Sequence, residues 1–88
     1  MNLNEELLEL LREQAKKGKK INFLIKLIRD SVDSNDFNSF LVMNYFMQAY
    51  HLSFYQIKEL PGAFCMGGGV YSDEEINALI YPHIKKNW

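Results

Sequence analysis

Eighty-eight residues, 48% of them hydrophobic and 14% aromatic, are enough for one packed core and too few to divide between two, so a single domain spanning residues 1–88 is expected. Ten basic against eleven acidic residues leave a formal charge of -1, which excludes a general electrostatic pull toward nucleic acid or anionic lipid. A single cysteine, Cys65, excludes an intramolecular disulfide and fits a reducing compartment.

The opening run MNLNEELLELLREQ carries acidic residues where a secretory peptide needs a positive region, and no run of about 18 uncharged apolar residues follows. A cytoplasmic location is expected. Leu3, Leu7, Leu8, Leu11 and Ala15 recur at helical spacing against Glu5, Glu6, Glu9, Arg12, Glu13 and Lys16, which predicts an amphipathic first helix. Asn2, three places before Glu5, supplies its start signal, and Lys16 and Lys17 before Gly18 supply its stop.

A second helix is predicted from Lys20 to about Val32, with Ile21, Leu24, Ile25, Ile28 and Val32 on one face and Phe23 and Leu27 widening it. DSVDSND, Asp30 to Asp36, reads as a turn, with Asp33 or Ser34 as the N-cap of the next helix. The third helix, from roughly Asp36 to Tyr50, is apolar on nearly every face, which predicts a central position. Phe37 to Ile57 contains no charged residue, but Asn38, Asn44, Gln48, His51 and Gln56 interrupt it, so it does not read as a membrane span.

Two capping boxes follow: Ser53 with Gln56, flanked by Leu52 and Ile57, and Ser72 with Glu75, flanked by Tyr71 and Ile76. A short fourth helix should end near Leu60, before Pro61 and Gly62. The last should run from Asp73 through Ile76, Leu79 and Ile80, with Pro82 kinking or ending it. The predicted fold class is all-α, a compact bundle of four to five helices with a glycine-rich connection before the last helix.

Catalytic and cofactor chemistry finds little support. Gly67, Gly68 and Gly69 precede a helix start, but no Lys follows them, and Asp73, Glu74 and Glu75 place negative charge where a phosphate would sit. A flexible or bulged connection is the expectation. Cys65, His51 and His83 are too widely spaced for a zinc site, and no orienting group marks a thiol nucleophile. Asp30, Asp33 and Asp36 lack the alternate spacing, glycine and closing glutamate of a calcium loop. No catalytic residue, metal or cofactor is therefore expected.

Binding fits better. Acidic connections suit docking against a basic partner, and Tyr45, Tyr50, Phe54, Tyr55, Phe64, Tyr71, Tyr81 and Trp88 are many for so small an interior, so some should face solvent as interface anchors. The basic cluster KKGKK, Lys16 to Lys20, reads as a solvated helix junction.

From Tyr45 to Ile84 the elements Ala49-Tyr50, Leu52-Ser53, Gly67 to Gly69, Ser72 to Ile76 and Leu79 to Ile84 resemble a layout found in immunity proteins of bacterial polymorphic and contact-dependent growth inhibition systems. The resemblance covers under half the chain. It implies a cytoplasmic protein without catalysis that binds one cognate toxin domain, often a nuclease, and blocks its active site or substrate path. The contacts expected with such a partner are Asp33, Asp36, Tyr71, Asp73, Glu74 and Glu75. The competing expectation is a helical nucleic-acid-binding or regulatory module that uses Lys16, Lys17, Lys19 and Lys20 against phosphates.

Overall fold

In the computed structural model, which describes residues 3–87, the first helix opens on Asn4, whose side-chain oxygen accepts from the Leu7 amide at 3.1 Å. The start expected at Asn2 lies outside the described residues. Helix α1 (Glu5–Lys16) buries Leu7, Leu8, Leu11 and Ala15 and stops at Gly18, whose φ of 88° is a left-handed conformation that suits glycine. Helix α2 (Ile21–Ser31) buries Ile21, Leu24, Ile25 and Ile28, as the spacing predicts.

Helix α3 (Ser39–Tyr50) begins later than Asp36, because its N-cap is Asn38, which accepts from the Leu41 amide at 2.8 Å. Asp33, the expected cap, closes the preceding turn instead: its Oδ1 accepts from the Asn35 amide at 3.0 Å and its carbonyl from the Asp36 amide at 2.9 Å. A short carboxylate that folds back on its own loop is no longer placed to cap the helix beyond.

Both predicted capping boxes form. Ser53 opens α4 (Phe54–Ile57) and Ser72 opens α5 (Asp73–Lys86), each exchanging hydrogen bonds with the residue three places on. Helix α4 ends at Ile57, short of Leu60, and the chain continues through 3-10 turns at Leu60–Gly62 and Phe64–Met66. Helix α5 does not end at Pro82 but runs on to Lys86. Pro82 and Ala78, whose carbonyl loses its donor, are both exposed, so water can replace the missing bond.

The three helices α1, α3 and α5 run in one direction and α2 runs against them. Arg12 Nε donates to the Ala49 carbonyl at 2.9 Å, and Asn87 Nδ2 donates to the Tyr50 carbonyl at 3.0 Å, which gathers the C-termini of α1, α3 and α5 at one end. Helix α3 has no basic residue in its last turn, so these donors from its neighbours satisfy carbonyls that a helix end leaves open. Tyr50 Oη also donates to the Leu11 carbonyl at 2.8 Å, and Tyr81 Oη to the Ala15 carbonyl at 2.7 Å. The core is continuous through Leu11, Leu24, Ile28, Phe46, Ile57, Leu60, Ile76 and Ile80.

Parallel α3 and α5 require the intervening chain to return the length of the molecule, and residues 51–72 do so. Backbone hydrogen bonds close the return. The Gly62 carbonyl accepts from both the Val70 and Tyr71 amides at 2.9 Å, the Phe64 amide donates to the Tyr71 carbonyl at 2.8 Å, and Ala63 and Tyr71 form an isolated parallel bridge. Gly68 packs so closely on this turn that a Cβ there would collide with the Pro61 carbonyl oxygen and the Gly62 backbone, whereas Gly67, with φ of 82°, has open space around it.

Gly68→Ala therefore pushes backbone against backbone and should cost about 1–3 kcal/mol, as overpacking does, while Gly67→Ala should cost about 1 kcal/mol of left-handed strain. Urea unfolding of both variants checks this, and a Gly68→Ala cost no larger than that of Gly67→Ala would contradict the close approach.

Candidate docking face

Two of the three glycine amides are already committed, which leaves the segment without the converging set a phosphate cradle needs. The Gly67 amide donates to the Phe64 carbonyl and the Gly68 amide to the Ala63 carbonyl, both at 2.9 Å. Such a cradle needs free amides converging on one point.

Cys65 is half-buried, and its thiol pKa is pushed up by burial first and by the neighbouring Asp73 charge second, with Arg29 opposing. A raised pKa is the reverse of what a nucleophilic thiolate requires. His51 ends α3 in a left-handed conformation with φ of 55°, and His83 approaches Gln56 on α4. Among the described residues no group of three or more His, Cys, Asp or Glu is placed to hold a metal ion. No helix among them is long and apolar enough to cross a membrane.

The charges are segregated. Two ion pairs form among the described residues, Arg12 with Glu9 at 2.6 Å and Lys26 with Asp30 at 2.9 Å, each within one helix and exposed. Such pairs contribute little. Most other charged groups fall into lysine groups and acidic turns. Lys16, Lys17, Lys19 and Lys20 join α1 to α2, and Lys85 and Lys86 close α5. Lys16, Arg12, Tyr50, His51, Ile84 and Asn87 surround one cavity of about 180 Å³, which places both lysine groups at the same end.

Away from that cavity lie Glu5 and Glu6 in the first turn of α1 and Asp33 and Asp36 in the α2–α3 turn, while Asp73, Glu74 and Glu75 open α5 between the two groups, since Asn77 one turn on accepts from the Ile21 amide at 3.0 Å, beside Lys20. Glu6 and Ser31 line one depression, and Leu3 and Asp36 line another, which sets the start of α1 beside the end of α2. Arg29 then links the two acidic turns. Its guanidinium stands 5.1 Å over the Phe37 ring and donates to the Cys65 carbonyl at 2.8 Å, next to Asp73.

The sequence-predicted contacts thus lie on two acidic turns joined by Arg29 and are not equally free. Asp33, Asp36, Asp73, Glu74 and Glu75 are exposed, while Tyr71 is half-buried. The Tyr71 ring packs on Gly62. Glu75 Oε1 accepts from the Ser72 amide at 3.1 Å, as the capping box demands. Of the aromatics singled out in the sequence, Tyr45 and Tyr50 are core residues, whereas Phe54, Tyr55 and Phe64 are exposed; Trp88 lies outside the described residues.

Three features escape the sequence reading. Glu5 and Glu6 add to the acidic residues, Arg29 sits between the two acidic turns, and Phe40 stands 66% exposed. A signal for Phe40 exists: Asn44 and Gln48 follow it at intervals of four, which marks the outward stripe of an otherwise apolar helix. Comparisons of the chain with protein-family models, with curated proteins and with solved structures return no match.

Because the thiolate is the reactive form, Cys65 should react with a maleimide more slowly at neutral pH than a free thiol. Asp73→Asn removes one cause of the raised pKa and should speed the reaction. A rate that this substitution leaves unchanged or lowers would contradict the placement of Asp73 beside Cys65.

Proposed function

We propose that this protein is an immunity protein, a binding inhibitor without catalysis that neutralises a cognate bacterial toxin domain of a contact-dependent or polymorphic toxin system. The observation that carries the reading is a set of exposed carboxylates with apolar neighbours: Asp36 shares a groove with the exposed Phe40, and Asp73 lies by Cys65, next in the chain to the exposed Phe64. Helix ends partly offset this charge. The N-termini of α1, α3 and α5 contribute about +0.5 each and the C-terminus of α2 about -0.5, which Glu5, Glu6, Asp33, Asp36, Asp73 and Glu74 outweigh severalfold.

A carboxylate surface of this kind suits a nuclease, whose cleft must be basic to hold phosphates. Covering that cleft blocks the active site or the substrate path without any chemistry by the inhibitor. Electrostatic complementarity also speeds encounter, the property an inhibitor needs when its target is toxic before capture. A nuclease toxin acts where nucleic acid is, so the reading places the inhibitor in the cytoplasm.

The test is to recover the bound partner from the native bacterium with tagged protein and to assay its nuclease activity with and without the inhibitor. Replacing Asp33, Asp36, Asp73 and Glu74 by Lys should weaken the complex about 10-fold or more, mainly through slower association that high salt masks, while circular dichroism stays unchanged. An unaltered affinity in the folded variant would sink the reading.

A second reading has one observation in its favour. Lys16, Lys17, Lys19 and Lys20 are exposed, and Lys85 and Lys86 lie at the same end, a wider basic area than KKGKK alone. A nucleic-acid-binding module would show a steep loss of binding as salt rises, and no binding at low salt would remove it.

A further inference from the structure

Between the start of α1, the α2–α3 turn and the first turns of α3 lies a groove of about 430 Å³, within the range that takes a small organic group. Leu3, Val32, Leu41 and Phe40 supply its apolar wall. Tyr45, itself buried, closes the base and is held by the Asn4 amide, which donates to its hydroxyl at 3.1 Å. Asn38 is fixed at the edge by its capping bond to the Leu41 amide.

Charge decides what fits there. Asp36 lines the groove, Asp33 belongs to the same turn, and Glu5 and Glu6 follow Leu3 on α1, while no cationic side chain lines it. The nearest cation in that turn region, Arg29, is engaged by the Phe37 ring and the Cys65 carbonyl. An anionic occupant such as a nucleic-acid backbone would meet uncompensated carboxylates. A wholly apolar occupant would leave those carboxylates partly desolvated and unpaired.

We infer that this groove receives one bulky apolar side chain of a partner protein segment whose flanking residues are Lys or Arg. The apolar anchor replaces water on Phe40, Val32 and Leu41, and the flanking cations face Asp33, Asp36 and Glu6. This deepens the inhibitor reading and rests on it for the identity of the partner alone; the chemistry of the groove stands without it. An anchor in a pocket surrounded by charge pairs is the pattern that concentrates binding energy at an interface.

The probe is a fluorescein-labelled peptide with one leucine between pairs of lysines, compared with a counterpart in which glutamates replace the lysines. Amide shifts of labelled protein at millimolar peptide should move at Val32, Asp36, Phe40 and Leu41 for the lysine peptide only. Phe40→Ser, at an exposed position that keeps the fold, should weaken this binding about 10-fold, and Asp36→Asn should lower both affinity and its salt dependence.

Shifts at the lysine end or near Tyr55 and Leu79, equal binding of both peptides, or no groove shift would overturn the inference. So would self-association that fills the groove with a second copy, seen as concentration-dependent sedimentation. A recovered toxin that binds Phe40→Ser and Asp36→Asn as tightly as the original sinks the groove and leaves the inhibitor reading intact. Groove binding of the lysine peptide with no toxin recovered supports the groove and removes the reading.

Discussion

The arrangement of this molecule depends on the carbonyl of Gly62, which accepts the amides of both Val70 and Tyr71 at 2.9 Å. That double acceptance closes the return connection and sets where α5 begins. A short hairpin after α3 would have produced an antiparallel neighbour, as short loops between helices do. Here the chain doubles back through α4 and two 3-10 turns, and α5 ends beside the end of α3, where Asn87 donates to the Tyr50 carbonyl. Gly68 is part of the same closure, since no side chain fits between its backbone and that of Pro61 and Gly62.

From that constraint the charge distribution follows. Acidic residues are favoured in the first turn of a helix and basic ones in the last, and α1 and α5 obey both preferences. In an up-and-down bundle these local preferences alternate and cancel between neighbours. With α1 and α5 parallel they add, so a chain with a formal charge of -1 gathers carboxylates at the starts of these two helices and lysines at their ends. Dipole compensation accounts for Glu5, Glu6 and Glu75. It does not account for Asp33 and Asp36, which lie outside any helix, nor for Phe40, exposed beside Asp36. Those residues are where a binding role has the most to explain.

Much of the fold was legible because its signals are local. Ser53 with Gln56 and Ser72 with Glu75 specify helix starts within four residues, and the periodicity of α1 and α2 specifies their buried faces. The misplaced start of α3 has the same local origin: Asp33 and Asn38 are both good caps, and only the turn geometry decides which reaches a helix amide. Pro82 left a kink or an end open, and that the helix runs on past it depends on exposure of Ala78, which sequence does not show. The groove was not legible, since Leu3, Val32 and Phe40 meet only after folding. Nor was the role of Arg12, whose bond to the Ala49 carbonyl joins residues far apart in the chain.

The most direct test of the acidic turns as the docking face is zero-length carbodiimide cross-linking of the complex recovered from native cells, which joins carboxylates to amines in direct contact. The expected result is linkage of Asp33, Asp36 or Glu74 to lysines of the partner. Linkage of Lys16 to Lys20 or of Lys85 and Lys86 to partner carboxylates, with none from the acidic turns, would place the interface on the lysine groups and contradict it.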